Sequence, residues 1–427
     1  MAILGIISWQ ILRLQSCKFI QPSKRSISSA VNYHDHHVKN QHRKRDVEYR
    51  NPKHVLFTPS QTQYQSLSST TSQHKVDNES YEYKKVIDEH SLKVPSFGGS
   101  VLTKSNADIS IKPADPTQYQ NLDQAFVRLL SRVESNNEQA KLSVEQQDHK
   151  LITECKIEDE TKSSDYKLEV EVPIVYNVKV SAAANANVDV HDFMESNFVD
   201  IDTEDGNVNC HKSIKTEKVI IHTGSGDVIC QGALQGEVKI KTKSGNIVSE
   251  KRFVGPNAEL ETDIGTINVA SSYSDQAKFS TNRGSMILKN VHNESNVTVH
   301  EHGNVQMQGV DGSTQIFINK GDLDIQISRI ANDSRIHVLE GNVNLKLSES
   351  CRIDSSITAK DVIIDSKLDK LGEVEQNTDK DSTRLASTSE PQMVHPKLVI
   401  IAKKGRVSIE VQDWATSIGF KLPSMPS

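Results

Sequence analysis

The chain has 427 residues, a formal net charge of −6 and 35% apolar residues. Its mean hydropathy of −0.51 is low for a chain that is globular throughout, so part of it should lack a packed core. No apolar run reaches the roughly 18 residues that a membrane helix requires, and no basic stripe with interleaved aromatic residues favours a nucleic-acid partner.

Residues 1–30 are predicted to be a mitochondrial presequence, which places the mature protein in the matrix. No acidic residue precedes His34, whereas arginine, lysine and serine are frequent, as in import signals. Apolar residues recur at helical spacing from Ile3 to Leu14. The alternative is a secretory signal whose apolar region is Ala2–Leu12. In such a signal the positive charge precedes the apolar run, and here it follows.

Residues 31–90 are predicted to be a disordered polar region. The segment is rich in Ser, Gln, His and Lys and has no sustained hydrophobic periodicity. Histidine clusters such as His34–His37 can bind metal ions. Because this cluster lies in a tail without predicted structure, we assign no metal site to it.

Residues 91–165 are predicted to form strands and one short helix that cap the repeat following them. Apolar stretches on both sides of Gly98 and Gly99 predict a strand pair, and Leu151–Glu160 predicts a further strand. The helix is predicted from the helical spacing of Leu122, Phe126, Leu129, Leu130 and Val133.

From residue 166 to residue 365, a unit of two short strands recurs about every 19–20 residues. Residues two and four places after a marker position are apolar, as at Val228 and Cys230, with Ser249 as the exception. A second strand precedes most markers. The markers are Ala186, Gly206, Gly226, Gly245, Gly265, Gly284, Gly303, Gly321, Gly341 and Lys360. A third apolar position follows in several units, at Leu234, Phe253, Tyr273, Val291 and Val310.

This repeat predicts an all-β fold, a single-domain parallel β-solenoid of about ten coils, because each unit can bury its apolar face only against its neighbours. An antiparallel meander is the alternative, but it would need a hairpin turn at every junction. Asn or Asp follows most markers, as at Asn207, Asp227 and Asn246. Glycine supplies positive φ in tight turns, and stacked asparagines can form hydrogen bonds along the rod.

The C-terminal part divides into two segments. Residues 366–396 are charged and polar and are predicted to be a disordered loop. Residues 397–427 restore two strands around Gly405 and are predicted to close the open edge of the last coil. Trp414, Ile418 and Phe420 are the predicted capping side chains.

The repeated segments SGDVIC (225–230), SGNIVS (244–249) and KGDLDI (320–325) are similar to the putative-adhesin domain family, a β-solenoid family of unknown biochemical activity. The flanks VPSFGG (94–99), ISIKPADPTQY (109–119) and KKGRVSIEVQDW (403–414) resemble its animal branch. The proteins of that branch are thought to be mitochondrial. The resemblance covers about residues 91–422. It implies a fold and a compartment, and it transfers no site residue.

Five cysteines are too few for a disulfide framework. Cys210 and Cys230 occupy the same inward position of adjacent coils, where they could form a redox or metal pair. The simpler interpretation, which we expect, is two buried thiols that pack as small apolar groups. His300 and His302 could bind a metal on one side of a strand, but no third ligand is evident, so no metal or cofactor is expected.

Parallel β-helix enzymes that cleave glycans place paired carboxylates on neighbouring coils. Asp227, Asp322 and Asp324 instead have asparagine or glutamine neighbours at the same height of adjacent units. The sequence contains no Gly-Lys-Ser nucleotide loop and no nucleophile elbow. We therefore expect no catalytic residue and no enzymatic activity.

The expected function is a non-catalytic binding or scaffold protein of the mitochondrial interior, with a protein partner that the sequence does not identify. A solenoid can bind glycans through a repeated polar surface, but no residue of this sequence specifically supports glycan binding. One alternative is a secreted or cell-surface adhesion protein that uses the glycosylation sequons at Asn293 and Asn296. A second alternative is a carbohydrate-active β-helix enzyme.

Overall fold

A computed structural model describes Tyr83, residues 85–119, 121–132, 140–365 and 395–412, and the backbone of residues 373–377 and 382–386. All of them lie in the second of two compact units, Asp77–Ser427. The predictions for residues 1–30, for His34–His37 and for the capping side chains Trp414, Ile418 and Phe420 lie outside the described residues. Within these ranges, no helix is long and apolar enough to span a membrane.

The described residues form 26 strands in one continuous sheet and a short 3₁₀ helix, Glu160–Asp165. The strands before the repeat are β1 (Lys85–Lys93), β2 (Ser100–Ser105), β3 (Asp108–Pro113), β4 (Gln124–Ser131), β5 (Ala140–Gln147), β6 (Lys150–Ile157) and β7 (Tyr166–Val172). The next strands are β8 (Asn177–Ala182), β9 (Val188–Val190), β10 (Met194–Thr203), β11 (Val208–Cys210), β12 (Ile214–Ser225), β13 (Val228–Cys230), β14 (Leu234–Ser244), β15 (Ile247–Ile264) and β16 (Ile267–Arg283). The remaining strands are β17 (Met286–Lys289), β18 (His292–His302), β19 (Val305–Lys320), β20 (Leu323–Ile330), β21 (Ser334–Glu340), β22 (Val343–Ser348), β23 (Asp354–Ile364), β24 (Glu373–Asn377), β25 (Ser382–Ala386) and β26 (Lys397–Gln412).

The predicted all-β solenoid is confirmed. Corresponding strands of successive units pair in parallel, so that Val208 lies beside Val228 and Val228 beside Ile247. In the stacked strands of the repeat, alternate residues point into the rod, as Val343 and Leu345 do in β22. Because every coil presents the same inward positions, the buried side chains form one apolar core along the whole stack.

The coils do not stack in simple chain order at the two ends. β2 lies between β6 and β8, and β3 lies between β7 and β9. At the other end, β26 lies between β22 and β23. The prediction that the coil of Lys360 follows directly on the coil of Gly341 is therefore wrong. A Cβ at Gly405 would lie 1.7 Å from the Gly341 carbonyl oxygen, so this contact accepts glycine and excludes a residue such as Lys360.

Antiparallel strands cover both ends of the parallel stack. β4 pairs antiparallel with β7 and with β1, and β5 pairs antiparallel with β6. At the C-terminal end, β25 pairs antiparallel with β23 and with β24. Two predictions of disorder are therefore wrong in part. β1 begins at Lys85, within residues 31–90, and β24 and β25 lie within residues 366–396. The physical reason is that an open strand edge is satisfied best by another strand.

The helix predicted around Leu122–Val133 is wrong, because this segment contains strand β4. Ala125, Val127 and Leu129 are buried at alternate positions, which is the period of a strand. Pairing with β1 and β7 on both sides outweighs the local helical spacing. The predicted strand pair across Gly98–Gly99 is also not formed, since β1 pairs with β4, whereas β2 pairs with β6 and β8.

The prediction that a third apolar residue is buried in each coil is confirmed in most coils and is wrong in one. Leu234, Phe253 and Val291 are buried, but Tyr273 is 46% exposed. The strand register places Ser272 beside Phe253, and the buried Ser272 takes the core position instead. The displaced Tyr273 ring stacks on His292, with 4.3 Å between ring centroids.

The predicted hydrogen bonding of turn residues along the rod is confirmed and has a specific form. The side-chain oxygen of one coil accepts the backbone N–H of the same position in the next coil. Asn207 Oδ1 accepts from the Asp227 N–H at 2.8 Å, and Asp227 Oδ1 accepts from the Asn246 N–H at 2.7 Å. Threonines reinforce the turn from inside, since the Thr262 hydroxyl donates to the Gly245 carbonyl at 2.9 Å.

Candidate binding groove

A groove of about 680 Å³ runs along one side of the rod. It crosses seven consecutive coils, about six to nine residues before each marker. We call it the lateral groove, and it is lined by Lys218, Glu237, Val238, Lys239, Asn257, Ala258, Glu259, Gln276, Ala277, Lys278, Glu294, Ser295, Asn296, Ser313, Gln315, Asn332 and Asp333.

The floor of the lateral groove is formed by a row of residues whose side chains are buried. Val238, Ala258, Ala277 and Ser295 lie in register on β14, β15, β16 and β18, and all are buried. The preceding coil carries Val219 at this position. Because these side chains point into the rod, a trough remains on the outside between the outward-pointing residues on either side.

The three lysines of the groove are paired with Glu237 and Glu259, whereas Glu294 and Asp333 have no lysine partner among the described residues. Lys218 Nζ lies 3.2 Å from a Glu237 carboxylate oxygen. Glu259 lies between two lysines, 2.9 Å from Lys278 Nζ and 3.1 Å from Lys239 Nζ. The hydrogen bond from Lys278, together with that from Lys239, outweighs partial burial and lowers the pKa of Glu259 to about 2. The Glu259 carboxylate therefore stays ionised and paired with lysine. A general acid must carry a proton, so Glu259 does not suit that role.

Side-chain amides supply most of the remaining polar surface. Five successive coils each place one exposed amide in the groove, at Asn257, Gln276, Asn296, Gln315 and Asn332. Gln276 Nε2 donates to Glu294 at 3.4 Å, and Gln315 Nε2 donates to the Asp333 carbonyl at 3.4 Å. These long bonds leave much of the donor and acceptor capacity of the amides for a ligand.

The sequence profile of the Toastrack DUF4097 family matches residues 101–252 and 231–409, which together include most of the stack. The chain belongs to this family. This confirms the coarser part of the resemblance, a repetitive β-solenoid family of unknown function. The Toastrack match does not distinguish an animal mitochondrial branch, which stays a prediction.

Solved structures with similar architecture come from bacteria. A protein described as a putative adhesin from Parabacteroides merdae is 11% identical, with 76% of this chain and 95% of that chain covered and a TM-score of 0.36. A putative adhesin from Bacteroides fragilis is 10% identical, with coverages of 77% and 98% and a TM-score of 0.25. A putative lipid binding protein from Parabacteroides distasonis is 10% identical, with coverages of 76% and 96% and a TM-score of 0.24. At these scores the similarity assigns no ligand to the Toastrack rod.

The structure places Cys210 and Cys230 as predicted, stacked on adjacent coils and fully buried as free thiols. The hydrogen bond with Cys210, and then burial, raise the pKa of the Cys230 thiol well above its usual value. A thiol with a raised pKa is a poor nucleophile. That the two thiols have no role beyond packing stays a prediction.

His300 and His302 are both exposed at the end of β18 and engage different neighbours. His300 Nε2 lies 3.2 Å from the Ser280 hydroxyl, and Glu301, between the two histidines, pairs with Arg283 at 2.6 Å. In the part of the chain that the structure describes, no cluster of three or more His, Cys, Asp or Glu side chains is placed to hold a metal ion.

The carboxylates considered for catalysis belong to the hydrogen-bonded ladder. Asp322 Oδ1 accepts the Asn342 N–H at 2.8 Å, and Asp324 accepts from Lys346 Nζ at 3.0 Å. Asp227 bonds Asn246 in the same way. Each carboxylate thus joins one coil to the next, and the structure does not bring these three together.

Two clusters escaped the sequence analysis. The lateral groove has a signal, since Lys218, Glu237, Asn257 and Gln276 each stand eight residues before a marker glycine. These polar residues were not predicted to form a site, because the repeat is defined by the apolar positions after each marker and they lie before it.

The second cluster contains two stacked histidines, His191 and His211, with 4.8 Å between ring centroids. His211 Nε2 lies 3.0 Å from Asp189, which also pairs with Lys167 at 3.2 Å. Burial, and then the nearness of His211, lower the pKa of His191. Histidine five residues after two successive markers, Ala186 and Gly206, is the signal that would have found it.

Proposed function

We propose that the protein is a non-catalytic scaffold of the mitochondrial interior that binds a partner protein along the lateral groove. The observation that supports binding is the groove itself, which crosses seven coils and presents one amide on each of five. Its three lysines are paired with Glu237 and Glu259, so the groove offers shape and hydrogen bonds rather than a reactive group. Extended lateral surfaces of this kind are how repeat proteins bind partners.

The compartment is proposed from the sequence. The acid-free start of the chain, rich in Arg and Ser, supports import into the matrix. Fractionation, combined with mapping of the mature N-terminus, tests this part. A mature chain that begins between Ser26 and Ala30 in a protease-protected mitochondrial fraction is the expected result. An unprocessed chain outside mitochondria would contradict it.

The binding part is tested with a photoreactive amino acid in place of single asparagines of the full chain. We expect a cross-link to one partner protein from position Asn296 in the groove. The matched control is Asn268, which lies half-exposed on β16 outside the groove lining. Cross-linking from both positions, or from neither, would overturn the proposal.

A secreted adhesion protein is the second candidate, and one observation favours it. Asn296 and Asn332 both begin glycosylation sequons and are exposed in the lateral groove. Mass at Asn293, Asn296 or Asn332 that a glycosidase removes from the native protein would establish the secretory route and end the mitochondrial proposal.

A further inference from the structure

At the N-terminal end of the stack, β5 is an edge strand of the sheet. Its eight residues pair with β6 in an unbroken register, and among the described residues its backbone bonds to no other strand. β1 is the second edge strand at this end, but its register shifts between Val86 and Asp88, and such a bulge protects an edge from further pairing. β5 has no bulge and no proline, so its edge can accept another strand.

The two faces of β5 differ in character. Ala140, Leu142 and Val144 point inward and pack against the apolar core, yet they are only half-buried. The outward residues are all exposed, and they are Lys141, Ser143, Glu145 and Gln147. A further strand beside β5 would cover the half-buried side chains, in the way that each coil of the repeat covers its neighbour.

The backbone geometry decides which residues of β5 can bond to such a strand. The His149 carbonyl accepts from β2, and the N–H and carbonyl of Ile157 both bond to the side chain of Asn106, which follows β2. Because backbone groups alternate in direction along a strand, odd-numbered residues of β6 face β2 and even-numbered ones face β5. Their partners in β5 are odd-numbered, as Lys141 is for Lys156. The residues that direct N–H and C=O to the free edge are therefore Ala140, Leu142, Val144 and Gln146.

We propose that two copies of this chain form a dimer through β5, paired antiparallel about a twofold axis at Ser143. Leu142 then lies opposite Val144 of the partner subunit, and Ala140 lies opposite Gln146 of the partner subunit. Each of these pairs joins two residues whose backbone groups face the edge, so the symmetric interface has four such pairs and about eight hydrogen bonds.

Charge complementarity favours this register. Lys141 lies opposite Glu145 of the partner subunit, and symmetry forms this pair twice. Lys141 Nζ also lies 2.6 Å from Glu158 of its own chain, and an ammonium group with three donors can contact both carboxylates.

Other symmetric registers are less favourable. A twofold axis at Val144 would place Glu145 opposite Ser143 and set Leu142 against Gln146. An axis at Leu142 would place Lys141 opposite Ser143. An axis between two residues would set groups that face the edge against residues that bond to β6. Among these registers, the axis at Ser143 alone pairs both the charges and the apolar side chains.

This dimer does not depend on the proposed function. β6, β2, β8 and β10 lie between β5 and β12, the strand that carries Lys218 at one end of the lateral groove. The groove of each copy therefore stays open to its own ligand.

A cysteine cross-link tests the register. Two Ser143 Cα atoms on the axis would lie about 4.5 Å apart, which a disulfide spans, whereas two Gln147 Cα atoms would lie about 27 Å apart. The full chain carries Cys17→Ser, since Cys155, Cys210, Cys230 and Cys351 are buried. With oxidised glutathione, we expect Ser143→Cys to form a disulfide-linked dimer at least about tenfold faster than Gln147→Cys. Equal rates, or no dimer from either variant, would overturn the proposal.

Charge reversal tests the same contact without a new bond. Lys141→Glu places like charges opposite Glu145, and Glu145→Lys places like charges opposite Lys141. Each variant alone should sediment as a monomer in analytical ultracentrifugation at a concentration where the wild type is a dimer. An equal mixture of the two variants should dimerise again, because each chain then meets the opposite charge. Lys215→Glu, which changes an exposed lysine 3.9 Å from Glu195 on β12, is the matched control and should stay dimeric.

Three sedimentation results would overturn the proposal. They are a wild-type chain that stays monomeric at every concentration, single variants that dimerise as the wild type does, and a mixture that stays monomeric. Assemblies larger than two chains would also contradict it, because a twofold interface closes at two copies. Thermal melts of each variant establish that the fold is retained.

Discussion

At the scale of single residues, the marker glycines tolerate substitution least, because each lies directly on a carbonyl group of the neighbouring coil and leaves no room for a Cβ. A Cβ at Gly284 would lie 1.8 Å from the Gly265 carbonyl oxygen, and its φ is +151°. We expect Gly284→Ala to lower the free energy of unfolding by about 3 kcal/mol or more, measured by urea denaturation. Gly98, with a φ of +69° and no atom within 4 Å of a Cβ, is the control. Gly98→Ala should cost only about 1–2 kcal/mol.

The buried cysteines test whether a core position also has a chemical role. Cys210 stacks on Val190 of the preceding coil, so valine already fills this column. We expect Cys210→Val to change stability by less than about 1.5 kcal/mol, and native Cys210 and Cys230 to react with a thiol reagent far more slowly than after unfolding. A valine variant that melts normally but no longer binds the partner would show that the pair is functional.

The stacked histidines predict a dependence of stability on pH. His191 has a lowered pKa in the folded rod, so between that pKa and its ordinary value of 6.5 the unfolded chain binds a proton that the folded chain does not. Its neighbours His211, Lys112 and Lys167 favour the neutral ring, whereas Asp189 opposes them. Stability should therefore fall as the pH decreases below about 6.5. Melting temperatures of wild type and His191→Gln should diverge between about pH 7 and pH 5.5, with the variant depending less on pH. Parallel curves would contradict this.

At the scale of secondary-structure elements, inward and outward positions of one strand should differ sharply. Val228 and Leu288 are fully buried and packed between neighbouring coils. Val228→Asp and Leu288→Asp should each cost at least about 4 kcal/mol, because a charge without a partner enters the core. The outward Asp227→Asn should change stability by less than about 0.5 kcal/mol, because asparagine keeps the oxygen that accepts the Asn246 N–H. A harmless Val228→Asp in thermal melts would refute the assignment of the buried face.

At the scale of the whole molecule, the ends of the stack depend on segments that are distant in sequence. β26 pairs with β21, β22 and β23, and its residues Ile400 and Val407 are fully buried. A chain that ends before Lys397 would leave these strands without that partner. We expect it to unfold less cooperatively and to self-associate in light scattering, because exposed strand edges pair with other chains. A chain that ends after Gln412 keeps β26 and is the control. Equal behaviour of both chains would contradict this role.

The sequence alone determined the repeated coils, because their signal is local and recurs. Each marker glycine and the two apolar residues after it are dictated by contacts that every coil repeats, so one correct unit predicts the others. The same argument placed Cys210 and Cys230 in the core. It also predicted turn residues such as Asn207 and Asp227 to bond along the rod, as they do.

Only the tertiary structure decided the ends and the groove. The spacing of apolar residues around Phe126 fits a helix, but β4 is a strand because open edges of the stack need partners. The positions of β2 between β6 and β8, and of β26 between β22 and β23, depend on close approaches between distant segments, such as Gly405 on Gly341. The groove likewise exists only after stacking, because residues about 19–20 apart in sequence become neighbours at about 4.8 Å and turn isolated polar side chains into a continuous surface.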